Sequence, residues 1–551
     1  MRAKSVLLAV AAGLALADAS IVTLALPELL TALNTTIEGV AAVIGVYTIV
    51  LCVMLLPAWW LAQRIGYRTV GVIGFLVFAG ASAVCSQADT LTVLLIARGV
   101  QAIGGAGALV AAFALLHGGD RPQRQLWLAV VLVSTAIGPA LGGALTQAFS
   151  WRAIFTAQVP IALIGLVACL IEAPVVAERV PAERRERVER GPAVALACVS
   201  AALTGVLFLL ILLLVAGWNL EPLEAALIVT ALPIGAVAGA QIKGASATTR
   251  AAAGCLLVAG GVAALAWLPN ANGWWTVPPQ LLAGVGMGLS LPSLGGELLP
   301  EHTAHDAAVV LTIRHFGIAV ALVLIAPIAA HQLTASINHM KLQGVALVLD
   351  AKLPPQDKIK LAPKLLNAVN EQQPRKALKQ AAAQQRSSFS GADLAAYDET
   401  TSRADDTLVA AAGHAFAIAV LIAGAFALVG ALFLFSRARW AAGLIAALIA
   451  AVATPAAYAY AHHQLAPQTP QILDPCKPRP KPHTGGISGF LQDQALHALD
   501  EIACHNGSSR EALVLALASS EEAKAYKKKY GVNPRSASGI LEQALGLLGL
   551  G

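Results

Sequence analysis

Residues 127–147, WLAVVLVSTAIGPALGGALTQ, are 21 consecutive residues without a charge. At about 1.5 Å per residue, a helix of that length crosses a hydrocarbon core of roughly 30 Å. Its centre reads Gly138-Pro139-Ala140-Leu141-Gly142-Gly143. Gly138 and Gly142 stand four apart and share one helix face, where small residues let a second backbone approach closely. Pro139 donates no mid-helix hydrogen bond and bends the helix. A smooth, bent face suits two helix bundles that move past each other. Plain close packing is the other reading of the same glycines.

The rest of the chain is of one kind with this stretch. Of its 551 residues, 57% are hydrophobic and 12% charged, and the mean hydropathy is +0.70. That composition predicts an all-α membrane protein rather than a soluble domain. Apolar spans are expected near 5–27, 39–62, 69–87, 91–115, 126–147 and 154–173, which make a first bundle of six within 1–173. Residues 174–191, PVVAERVPAERRERVERG, read as a solvated cytoplasmic linker. Spans near 193–217, 223–242, 251–268, 277–298 and 307–333 follow within 192–333, and 407–435 completes a second six. Residues 334–406 read as a polar, helical insertion. A thirteenth span is expected within 436–461, and 462–551 form a tail with short helices near 488–503, 509–518 and 520–529.

Charge sets the expected orientation. Arg64 and Arg68, Arg121 and Arg124, Lys243 and Arg250, and the 174–191 linker all fall on one side, and the alternate short loops hold no Lys or Arg. By the positive-inside rule the N-terminus is cytoplasmic, so thirteen crossings leave the tail outside. The net charge of +6 is then loop charge and gives no ground for a nucleic-acid partner. Met1–Lys4 followed by an apolar run and Ala17-Asp18-Ala19 also fits a secretory signal peptide. No nucleotide-binding G-x-x-x-x-G-K-[ST] and no zincin or kinase-type motif appears, so neither an enzyme nor a cofactor is expected. Cys476 and Cys504 are the only cysteines outside the expected spans and read as a disulfide formed in an oxidising milieu. A metal site with His483, His497 or His505 is the weaker reading, since their spacing fits no zinc pattern.

Three motifs around the opening stretch carry a resemblance. Arg98, Gln101 and Gly104 match R-x-x-Q-G-x-G, with Ala102 in place of one glycine. Gly138, Pro139, Gly142 and Gly143 match G-P-x-x-G-G, with Ser134 where a leading glycine is usual. Trp151, Arg152, Ile154, Phe155 and Pro160 match W-R-x-I-F-x-x-N-x-P, with Gln158 for the Asn. In this order and spacing the run resembles the major facilitator superfamily, and within it the drug:proton antiporters. LADASIVTLALPEL, around Asp18, resembles their first-helix pattern L-D-x-T-I-V-N-x-A-L-P, which favours keeping the first helix over cleaving it. The likeness covers about residues 5–333 and 407–435. It implies two six-helix bundles around a midplane site, proton-coupled export of a small amphiphilic or drug-like compound by alternating access, and a cell (inner) membrane location.

Charges inside the bilayer mark functional candidates. Asp18 lies about 13 residues from the inner end of its span and Arg98 about 8 from the outer end of its own, depths of roughly 20 Å and 12 Å from opposite faces. In a core of roughly 30 Å they nearly coincide. An Asp18–Arg98 pair broken by proton uptake or by substrate is a coupling element; a static buried pair is the alternative. Gln101 lies one turn from Arg98 and can bond it, a substrate or a neighbouring helix. Arg314 and His315 sit in LTIRHFG, similar to the family's N-x-x-R-Q-x-G, and are candidates for the cavity or for proton sensing. The family's gate loop, G-x-L-x-D-R-x-G-R-[RK], keeps Arg64, Gly66 and Arg68 here, with Gln63 for the Asp and Trp59 for the first Gly. That loss of a charged latch opens a second expectation: a transport-deficient membrane scaffold whose exterior insertion and tail bind an envelope partner.

Overall fold

The computed structural model describes residues 3–117, 138–171, 189–298, 303–354, 373–438, 442–479 and 486–535, with a few positions between 357 and 365. Among these residues there are helices and no strands. Eleven helices are long and apolar enough to cross a membrane. The upstream part of the opening stretch, 127–137, Arg121, Arg124 and most of the 174–191 linker lie outside the described residues.

The chain divides into two compact units. The first comprises residues 1–216, 220–331 and 416–465. It opens with α1 (Ala3–Thr23), a short α2 (Leu26–Ala32), α3 (Ile37–Ile65), α4 (Tyr67–Ser86) and α5 (Leu91–His117). A helical stretch over 138–148, here α6, and α7 (Trp151–Ile171) complete the first half. The second half holds α8 (Arg190–Ile211), α9 (Pro222–Val229), α10 (Ala231–Ala240), α11 (Ala247–Ala264), α12 (Val277–Leu298) and the start of α13 (Ala304–Asp350).

Local chemistry sets several of these boundaries. The first span, expected to reach residue 27, breaks at Thr23, and α2 restarts with Pro27, whose missing N–H costs nothing in a first turn. Thr36 caps α3 by accepting the Gly39 N–H. Gly66 joins α3 to α4 with φ +91°, a conformation only glycine takes without strain. Gly284, Gly286 and Gly288 on α12 let it lie against α10 and α11: a Cβ on any of them would collide with the carbonyls of Leu232, Gly254 or Ala236.

The second unit comprises 217–219, 332–415 and 466–551. Here two helices run on beyond their apolar spans. The span expected to end at 333 continues as α13 to Asp350, and the span expected to start at 407 begins at 391, as α15 (Gly391–Phe435). Polar composition hid both extensions, because their apolar residues line one face instead of surrounding the helix. Between them lies α14 (Pro374–Arg386). Leu353, Leu361, Leu365, Leu378 and Tyr397 form an apolar core, with Phe389 stacked on Tyr397 at 4.5 Å. Arg375 pairs with both oxygens of Asp405 at 2.8 Å.

After α16 (Ala442–Leu465), the tail holds α17 (Gly486–His505), α18 (Arg510–Ala518) and α19 (Ser520–Tyr530). The Cys476 and Cys504 sulfurs are bonded at 2.01 Å. Arg479 pairs with buried Glu511 at 2.8 Å, and Arg510 with Asp350 at 2.9 Å.

Candidate functional site

Asp18 and Arg98 are both fully buried, with Asp18 Oδ2 2.7 Å from Arg98 Nη2. α1 and α5 supply one residue each. Around the pair every neighbour is satisfied by another. Arg98 Nη1 donates to Gln101 Oε1 at 2.5 Å, and Arg98 Nε to the Val43 carbonyl at 3.2 Å. Gln101 Nε2 donates to Ser82 Oγ and Gln158 Oε1, each at 2.7 Å. Gln158 Nε2 closes the circuit by donating to Asp18 Oδ1 at 2.7 Å. Five helices (α1, α3, α4, α5 and α7) thus share one buried polar network. Removing either charge would leave the other desolvated and unpaired, at a cost of about 3–5 kcal/mol.

Tyr47 is shared by this network and by the lining of a cavity. Its ring centroid lies 4.2 Å from the Arg98 guanidinium carbon, a cation–π contact, and its hydroxyl donates to the Ala15 carbonyl at 3.1 Å. Its other face lines a cavity between the two halves of the first unit. The empty space there, open end included, is about 760 Å³. The first half contributes Leu16, Ala19, Ser20, Thr23 and Tyr47; the second contributes Ser200, Thr204, Met287, Arg314 and His315.

The remaining expected residues fall around this cavity. Gln101 spends its hydrogen bonds on Arg98, Ser82 and Gln158, not on the cavity. His315 is 4% exposed, and its Nδ1 sits 2.7 Å from the Leu311 carbonyl; it is more deeply enclosed than a place two turns into its span implies. Gly138 and Gly142 pack on α1, where a Cβ would strike Ser20 and the Ile21 carbonyl. Gly143 faces the other half: a Cβ would lie 2.6 Å from the Ala226 Cβ and 2.8 Å from the Pro222 carbonyl oxygen. Beside it, Gln147 Oε1 accepts the Leu223 N–H at 2.9 Å, capping α9. These contacts join the halves at one end of the cavity.

At the other end the halves meet through Trp59, whose ring stands edge-on to His305 at 4.6 Å. Near it, Gln63 Nε2 donates to the Tyr67 hydroxyl at 2.5 Å, Arg64 lies 3.6 Å over the Trp60 ring, and Arg68 donates to the Leu170 carbonyl. No carboxylate takes part in these contacts. Among the described residues, no group of three or more His, Cys, Asp and Glu is placed to hold a metal ion.

Four contributors escaped the sequence reading: Tyr47, Ser82, Gln158 and Ser200. Each is neutral, so a search for charge in apolar spans passes over it. Gln158 alone left a trace, as the residue standing where the third motif has Asn.

Comparison with known proteins agrees with this architecture. The sequence pattern of the Major Facilitator Superfamily matches residues 8–322. The chain is 32% identical over 185 residues to the methylenomycin A resistance protein of Bacillus subtilis (strain 168), covering 32% of this chain and 39% of that one. It is 36% identical over 157 residues to the putative multidrug resistance protein MdtD of Pectobacterium atrosepticum, covering 27% of this chain and 34% of the relative. The matches therefore span little more than a third of these relatives. In fold, it is similar to a bacterial homolog of the human lysosomal transporter Spinster, solved in an inward-facing and occupied conformation, with TM-score 0.53, 16% identity and coverage of 80% of this chain and 98% of that one. With its pattern matched across more than half of its length, this multi-pass membrane transporter belongs to the Major Facilitator Superfamily.

Proposed function

We propose that the protein is a proton-coupled secondary exporter of a small amphiphilic compound, working by alternating access across a cell (inner) membrane. One observation carries this reading: Tyr47 touches the buried Asp18–Arg98 pair through Arg98 and also lines the cavity. Arg98 pairs directly with Asp18 Oδ2. A proton that reached Asp18 would remove the attraction and release the guanidinium. Tyr47, in contact with Arg98 and with the cavity, would then carry the change to the substrate's side. Reciprocally, a substrate displacing Tyr47 would loosen the pair and favour proton exchange.

The two sets of contacts between the halves serve as gates. The basic loops put the N-terminus in the cytoplasm. The Gln147–Leu223 end then faces outside and the Trp59–His305 end faces the cytoplasm. Because the contacts at both gates are neutral, opening either one strips no buried charge of its partner. The names of the resistance-protein relatives support export of a drug-like substrate.

Asp18→Asn tests the coupling. In proteoliposomes with an internal pH dye, the wild type is expected to show substrate-triggered proton movement. The variant, which keeps the shape of Asp18 but cannot titrate, is expected to lose it while still binding substrate. Proton flux surviving in Asp18→Asn would reject the coupling role.

A further inference from the structure

Among the described residues, the cavity holds one charge that no described group balances. Among its described lining residues Arg314 is the only one with a permanent charge, and no hydrogen bond or ion pair holds it. A guanidinium stays protonated at any physiological pH. Among the described carboxylates, Asp18 and Asp306 are engaged elsewhere. Asp18 is taken by Arg98 and Gln158. Asp306, about two turns earlier on the same helix, accepts the Thr303 N–H and faces His305. Leaving a cation in a mostly apolar, partly desolvated wall without a partner is costly, and the cost falls when an anion arrives.

A second group points the same way. The Ser200 hydroxyl, on α8, is 4% exposed, lines the same cavity, and has no hydrogen-bond partner. By contrast, Ser20 and Thr23 across the cavity already donate to the Ala17 and Ala19 carbonyls. The second half thus presents a fixed cation and a free hydroxyl, while Leu16, Leu203, Leu207, Leu232 and Leu291 make up much of the remaining surface.

We infer that this cavity takes an amphiphilic organic anion, a carboxylate on an apolar body, with Arg314 as its counter-ion and Ser200 as a hydrogen-bond donor. The inference rests on the exporter reading for the cavity's being a transport site. The planar guanidinium fork matches a carboxylate through two parallel hydrogen bonds, and the leucines receive the apolar body. A lipophilic cation would meet Arg314 as a like charge with no acid to offset it.

The test uses three probes with one body and three charges: 1-naphthoate, 1-naphthamide and 1-naphthylmethylammonium. Binding to the purified full chain in detergent is measured at neutral pH, and proton flux separately in proteoliposomes. The acid is expected to bind at least tenfold tighter than the amide, with the ammonium weakest. Arg314→Gln should abolish the preference for the acid while leaving amide affinity within about threefold. Arg314→Lys, which keeps the charge but loses the fork, should fall between, and Ser200→Ala should weaken the acid alone. Should Arg314→Gln fail to fold, the Lys and Ala variants decide the matter by the same readout. Failure of the acid to bind, amide or ammonium binding as tight as the acid, or an acid preference that survives loss of Arg314 would each overturn the inference. Anion-selective binding without proton flux would reject the exporter reading and leave the anion site standing.

Discussion

Gln158 is a neutral side chain, yet it joins both ends of the buried network, donating to Asp18 and accepting from Gln101. Gln158→Leu would leave Asp18 Oδ1 and the Gln101 amide short of partners in a place water does not reach. The expected cost is about 1–3 kcal/mol, read as a lower thermal midpoint of the purified protein in detergent. Gln158→Asn, one methylene shorter, should recover part of it. The charged members of this network were legible in the sequence because a charge in an apolar span must be paired, and helix rise brings the depths of Asp18 and Arg98 together. The neutral members were not: Ser82 and Tyr47 look like ordinary residues of apolar helices until the packing shows what they touch. Lys358, outside the spans, gives the residue scale a pH signature. Burial, which outweighs the attraction of Asp350, pushes its ammonium down to about 8, while its amine donates to the Leu349 carbonyl at 2.6 Å. The folded state therefore sheds this proton before the unfolded state does, and stability should rise between about pH 8 and the usual lysine range near 10.5. The protection of amides in 510–518, exchange corrected for its intrinsic base-catalysed rate, should rise over that window, and Lys358→Met should flatten the response.

Among the elements, α6 has one side for each half of the transporter. Gly142 meets the Ile21 carbonyl of α1, and Gly143 meets Pro222 and Ala226 of α9. Neighbouring helix positions point about 100° apart, so adjacent glycines can serve two different partners. Gly143→Val should force the halves apart where the contact is backbone and cannot yield. Overpacking by about 1–3 kcal/mol in only one of the alternating states corresponds to a fall in turnover of roughly tenfold or more, measured as initial flux at saturating substrate. The glycine run was visible in the sequence as a packing device, and the direction of each glycine was not. The continuation of α13 past its apolar span and the early start of α15 were not legible for a related reason: hydropathy marks where a helix is apolar all round, not where it starts or stops.

For the molecule as a whole, the tail's covalent link belongs to the second unit. Cys476 and Cys504 enclose a separation of 28 residues, for which loop-closure entropy gives about 3.6 kcal/mol. Replacing both cysteines with serine should lower the melting of the second unit by about that much while leaving substrate-triggered flux unchanged at moderate temperature; differential alkylation with and without reductant reads the state of the pair. A drop in flux to match the loss of stability would tie the second unit to transport after all. The lone guanidinium of the cavity also bears on the energetics of a full cycle. If Arg314 escorts a monoanion outward while one proton returns, two elementary charges cross in the same electrical direction. An inside-negative membrane favours both movements, at about 2.3 kcal/mol per charge for each 100 mV. At about 100 mV, voltage by itself would then sustain an outward concentration ratio of about two thousandfold, and a cell that lost its pH gradient but kept its potential would still expel the compound.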